Sequence, residues 1–164
     1  MVTRTLRHLL SLPGAVARAF PAHAFRNIEQ AVRESEKLHD GEIRFAVEAA
    51  LHPAQLWRGL TARQRAIEVF SQLGVWDTER NNGVLLYLLL ADRDVEIVAD
   101  RGFNDKVGAE EWEGVCRRME AELREGRHTD AVIAGIENLS RVVARHFPPA
   151  AGARNELPDK PVTV

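Results

Sequence analysis

The chain has 164 residues, enough for one domain with a real core, and its formal charge of −2 with 45% hydrophobic and 28% charged residues gives no electrostatic pull toward nucleic acid. No stretch approaches the ~20 apolar residues needed to span a bilayer. The lone Cys116 excludes a disulfide framework and a thiolate metal site and fits a reducing compartment, so the expected location is the cytoplasm.

Residues 1–20 read as an amphipathic arm, with Arg4, Arg7 and Arg18 set among leucines. The expectation is a peripheral or poorly ordered segment, with membrane-surface contact as the alternative. After Pro21, Phe25, Ile28, Ala31, Val32, Ser35 and Leu38 recur at helical spacing, and Gly41 is placed to end the run. Ile43, Phe45 and Val47 alternate with Arg44, Ala46 and Glu48, the pattern of a strand with one face in the core. Pro53 opens a short helical turn holding Leu56 and Trp57, which is read as packing. Thr61 to Gln64 has the form of a capping box, and Ala62, Ala66, Val69, Phe70 and Leu73 make the apolar stripe of the helix it starts.

Val84 to Leu90 is the longest apolar run, of strand length, and predicts a central strand covered on both faces. Ala91 to Asp94 turns the chain, and Val95, Ile97 and Ala99 return it as an antiparallel strand. Two further helices follow, one on the stripe Trp112, Val115, Cys116, Met119 and Leu123, the other on Val132, Ile136, Leu139, Val143 and Phe147 after the capping residues His128 to Asp130. Residues 150–164 read as a flexible tail, leaving residues 21–149 as the folded domain. Strand, helix and strand in succession leave residues 42–51 parallel to residues 83–91. The resulting fold class is α/β, a three-layer α/β/α sandwich around a small mixed sheet.

That topology carries Glu42, Asn81, Asn82 and Asp100 to one sheet edge, with Asp77 on the preceding loop. Carboxylates and carboxamides together are the oxygen ligands that calcium and magnesium take, which makes these residues the candidate metal set. Arg101 and Gly102 beside them are the candidate substrate contacts. The spacing lacks the terminal glutamate of an EF-hand loop. At the opposite edge, LLLADRDVEI resembles the strand and Asp-x-Asp that open the haloacid dehalogenase phosphatases, which would make Asp92 a nucleophile and Asp94 an acid/base. This is the minority alternative site, because Val95 starts another strand at once. No zinc spacing, Walker loop or nucleophile elbow occurs, and Cys116 reads as an inert core thiol.

GEIRFAVEAAL, FSQLGVWDTERNNGVLLYLLLADRDVEIVADRGF, EWEGV and REGRHTDAVIAGIENLSRVVARHFP together resemble the TPM domain over about residues 25–147. Asn81-Asn82-Gly83 matches the family's strand-opening signature and Asp92-Arg93 its hairpin turn, whereas Asp100-Arg101-Gly102-Phe103 departs from the Glu-x-Gly-Tyr-Gly type of longer members. The resemblance implies an α/β/α sandwich. It also implies divalent-cation binding, reported for some members, and phosphatase activity, proposed for a plant thylakoid relative linked with photosystem II repair. Two functions follow as expectations: a cation-binding interaction domain with an unidentified protein partner, or a metal-assisted phosphatase acting on phosphate monoesters.

Overall fold

A computed structural model describes residues 3–11, 14–152 and 154–164. The elements in chain order are α1 (Arg4–Leu9), α2 (Ala15–Ala19), α3 (Ala22–Ser35), β1 (Glu42–Glu48), α4 (Pro53–Trp57), α5 (Ala62–Gln72), β2 (Gly83–Leu89), β3 (Asp94–Ala99), α6 (Ala109–Arg124), α7 (His128–His146) and β4 (Val162–Thr163). The sheet order is β3-β2-β1-β4. β1 is parallel to β2 and to β4, and β2 is antiparallel to β3.

β2 holds the layers together because both its faces are apolar: every residue from Gly83 to Leu89 is buried. Val84, Leu86 and Leu88 join one core with Ile28 and Val32 of α3, Met119 and Leu123 of α6 and Ile136 and Leu139 of α7. Leu85, Tyr87 and Leu89 face a second core made with Ala66, Val69 and Phe70 of α5. Each fully buried leucine contributes about 1.5–3 kcal/mol. The three-layer α/β/α sandwich expected from the sequence is the fold observed.

Local signals hold at most element ends. Thr61 caps α5 with both halves of the capping box, and His52 with Gln55 builds a second one at α4 that the spacing had not suggested. α7 begins at His128 without the side-chain cap expected there. Trp57, read from sequence as a packing residue, is 85% exposed.

The larger differences lie at the two ends of the chain. Of the two outcomes expected for the arm, a peripheral and a poorly ordered segment, α1 takes the first and is pinned to the hairpin turn, where Arg4 Nε and Arg7 Nη2 lie 2.7 and 3.1 Å from the Asp92 carboxylate. His8 is 4% exposed, with Nδ1 accepting from Leu51 N–H at 2.9 Å and Nε2 lying 3.1 Å from Asp92 Oδ2. Val16 and Phe20 enter the first core. Residues 1, 2, 12 and 13 of the expected arm lie outside the described residues.

The expected tail is a docked strap. Glu42 Oε1 and Oε2 accept from the backbone N–H groups of Glu156 and Leu157 at 3.1 and 3.0 Å, and Arg44 donates to the carbonyls of Pro158 and Lys160. Leu157 enters the second core, and Val162–Thr163 pair with Ala46–Val47 as β4. Composition hid this segment because its hold is backbone hydrogen bonding, which no side-chain pattern reports. Glu42→Ala removes a charged acceptor from two N–H groups, so urea unfolding is expected to show a loss of roughly 2–3 kcal/mol. Trypsin should then cut after Arg154, at the head of the strap, faster than in the wild type.

Candidate functional site

The parallel register sets Glu42 opposite Gly83, and Asp100 N–H donates to the Gly83 carbonyl at 2.9 Å. The starts of β1 and β2 and the end of β3 therefore share one sheet edge, as the strand order predicts.

Asn81-Asn82-Gly83 is shaped by the backbone. Asn81 has φ 53°, in the left-handed region that asparagine tolerates. Its carbonyl accepts from Gly102 N–H at 2.9 Å and its Oδ1 from Arg101 Nε at 2.8 Å. Asn82 is 1% exposed: its carboxamide donates to the Asp40 carbonyl, and its own carbonyl accepts from Glu42 N–H at 3.2 Å. A Cβ on Gly83 would overlap the Val75 carbonyl, and one on Gly102 would overlap that of Asn81. Both glycines are places where one backbone segment rests directly on another.

These bonds consume much of the expected ligand set. Both Glu42 oxygens hold the strap, Asn81 Oδ1 holds Arg101, and Asp100 Oδ1 accepts from Arg101 N–H at 2.7 Å. Asp77 is exposed and lines a cavity with Asp40, Arg80, Arg154 and Glu156; Asp100 is not part of that lining. Arg80 forms an ion pair with Asp40 there. Two oxygens stand apart. Asn82 Oδ1 and Asp100 Oδ2 are buried acceptors that no described protein group satisfies. Among the described residues no three histidine, cysteine, aspartate or glutamate side chains gather as a metal site. A cation here would therefore rest on one carboxylate, one carboxamide and water, a ligand set closer to the habit of magnesium than to the six to eight oxygens of calcium.

Sequence reading missed the group behind this edge. Glu36 lies at the end of α3, with Oε1 accepting from Ile43 N–H at 3.0 Å. Burial, together with the charges of Glu42 and Asp159, pushes its carboxyl up to about 8. Burial likewise pushes His39 down to about 4 and raises Glu42. Nothing in the spacing marks Glu36 or Asp159, because the strap joins them across more than a hundred residues.

At the other edge, Asp92 and Asp94 serve different surroundings. Burial works against the Asp92 carboxylate, but Arg4 and His8 outweigh it and hold the group below the ordinary aspartate range. With Arg4 and His8 on Oδ2 and Arg7 on Oδ1, Asp92 anchors α1. Asp94 lines a groove between α5 and α6 with Glu96, Cys116 and Glu120, where burial and the neighbouring acids raise it to about 6. Cys116 is half-buried, and burial with Glu96 and Glu120 pushes its thiol up to about 12, so it stays protonated.

A family model of the TPM domain matches residues 17–142, the stretch that holds β1 to β3, the Asn-Asn-Gly strand opening and the hairpin turn. The chain belongs to the TPM domain family. This TPM domain is similar to the BA42 protein of the psychrophilic bacterium Bizionia argentinensis, with 28% identity over 88% of this chain and 95% of that one and a TM-score of 0.78. The N-terminal domain of a P. gingivalis protein shares the fold at 17% identity, covering 82% of this chain and 85% of that one, with a TM-score of 0.62. The N-terminal domain of the cg2496 protein of Corynebacterium glutamicum does so at 11% identity, covering 80% and 78%, with a TM-score of 0.56. No match was found among the curated proteins. Both α1 and the strap lie outside the matched residues.

The raised Glu36 gives the TPM domain a pH signature. Between the unfolded value of 4.5 and the folded value of about 8 the native state holds the extra proton, so stability is full below this window and falls as pH rises through it. Melting curves from pH 3.5 to about pH 9 should show that alkaline decline in the wild type and a flatter profile in Glu36→Gln. The difference between the two proteins should be steady below pH 4.5 and change only across the window.

Proposed function

We propose that this TPM domain is an interaction module whose loop edge is ordered by a hydrated divalent cation, magnesium or calcium, held by Asp100 and Asn82. The observation that supports the reading is the pair of buried acceptors, Asn82 Oδ1 and Asp100 Oδ2, left without a protein donor at one sheet edge. Leaving a buried carboxylate oxygen unsatisfied costs about 1–3 kcal/mol or more, and a cation would recover it. Asp77 supplies a further carboxylate on the same side of the sheet, and Trp76, exposed next to it, gives a partner an aromatic contact. The ion would fix the Asp77–Asn82 and Asp100–Asp105 loops before the partner binds, lowering the entropy lost on association.

Binding to the native state alone stabilises it by about 2.7 kcal/mol at a hundredfold excess over Kd, a rise in Tm of roughly 5–10 °C. Calcium and magnesium titrations followed by thermal unfolding should show such a rise in the wild type and little or none in Asp100→Asn. A wild-type Tm that does not move with either metal would remove the cation from the proposal.

Arg80 and Arg154 beside Asp77 favour, as a second reading, a metal-assisted phosphatase working at the same edge. There the ion and Arg101 would clamp a phosphoryl oxygen while water attacks. Arg101 already spends Nε on Asn81, which makes it a constrained clamp. This reading requires metal-dependent hydrolysis of a phosphate monoester by wild-type protein that Asp100→Asn abolishes; equal rates in both proteins would reject it.

A further inference from the structure

α1 is amphipathic with its polar side turned inward. Arg4, Arg7 and His8 face Asp92, while Leu6, Leu9 and Leu10, at i, i+3 and i+4, form the stripe on the opposite side. These leucines are 43%, 57% and 61% exposed. α1 packs against α4, which ends in Trp57, 85% exposed, so four of the large apolar side chains exposed among the described residues belong to two touching helices. A helix held only by its own hydrophobic surface would bury that stripe. Here a part-buried ion network and a histidine bridge to the Leu51 backbone hold it outward.

The two stretches that supply this face carry charge of one sign. None of the 24 acidic residues falls within residues 1–28 or 49–67, the stretches that supply α1 and α4, whereas Arg4 and Arg7 of α1 and Arg58 at the end of α4 do. Of the carboxylates near α1, Asp92 is paired with Arg4, Arg7 and His8, and Asp94 lies within the electrostatic reach of Arg4. The chain as a whole is formally −2, so these two stretches, which carry arginine and no aspartate or glutamate, are opposite in sign to the rest of it.

We propose that the α1/α4 face is a peripheral attachment site for an anionic phospholipid surface. Leu6, Leu9, Leu10 and Trp57 enter the boundary between headgroups and acyl chains, and the flanking arginines meet the headgroup phosphates. Tryptophan suits that depth because its ring is apolar and its indole N–H remains near water. The attachment needs no spanning helix, and among the described residues no helix is long and apolar enough to cross a membrane. It is independent of the loop-edge cation, since Asp92 and Asp100 lie at opposite ends of the sheet.

Co-sedimentation of the full chain with vesicles of phosphatidylcholine alone, and of equal parts phosphatidylcholine and phosphatidylglycerol, tests this. The wild type should pellet with the mixed vesicles and not with phosphatidylcholine, less so at high salt, and with a blue shift in tryptophan emission that Trp57→Ala removes. The double variant Leu9→Ser/Leu10→Ser should bind roughly a hundredfold more weakly, because each leucine side chain transferred from water is worth about a tenfold step or more. Those positions are exposed, so the variant's melting curve should match the wild type. Wild-type protein that stays in the supernatant with both compositions overturns the proposal, as does binding that the variants leave unchanged. Self-association in ultracentrifugation that Trp57→Ala abolishes, without vesicle binding, assigns the face to a second copy of the chain and also overturns it.

Discussion

The parallel register of β1 on β2 is the constraint from which the rest of the molecule follows. It sets Glu42 against Gly83 and Glu48 against Leu89, so the polar ends of two strands that are distant in sequence come to share each edge of one sheet. β2 enforces that register because all seven of its residues are buried and alternate between two separate cores. A slip of one residue would exchange the faces and put Tyr87, which donates to Glu48 Oε2 at 2.6 Å, into the wrong core.

Carboxylates at the two edges do structural work of the same kind. Asp92 gathers Arg4, Arg7 and His8 at the hairpin turn, and Glu42 gathers the Glu156 and Leu157 N–H groups at the start of β1. Each fastens one end of the chain to the sheet. A charged acceptor holding several donors is stronger than a neutral bond, and it becomes a liability if a donor is lost. Residues 17–142 thus form a TPM domain with an appended element secured at either side, and what those elements do belongs to this chain rather than to the matched region.

The loop edge combines rigidity with unmet hydrogen-bonding capacity. Backbone contacts at Gly83 and Gly102 leave no room for a side chain, and Asn81 is held in the left-handed region, so the loops are fixed where they join the strands while Asn82 Oδ1 and Asp100 Oδ2 lack a protein donor. A frame that holds acceptors apart from protein donors favours a small ligand of opposite charge. That logic underlies the cation proposal, which rests on Asp100 and Asn82 because the side-chain oxygens of Glu42 and Asn81 Oδ1 already accept hydrogen bonds inside the protein.

The amino-acid sequence alone determined the elements from α3 to α7, the mixed sheet, the hairpin and the family. Each depends on local periodicity, on caps such as Thr61 with Gln64, or on a motif such as Asn81-Asn82-Gly83 whose cause is the backbone conformation at that point. It also determined which edge Glu42, Asn82 and Asp100 occupy, because strand order fixes position. Only the tertiary structure decided how each oxygen is used. A carboxylate looks the same in sequence whether it binds a metal, as proposed for Asp100, pins a helix, as Asp92 does, or holds a strap, as Glu42 does. The difference lies in which donors arrive from residues 4–8 and 156–157, far along the chain. The same long-range contacts ordered the two ends and turned the leucines of α1 outward, because ion pairs and backbone hydrogen bonds across such separations leave no periodic trace in the residues that make them.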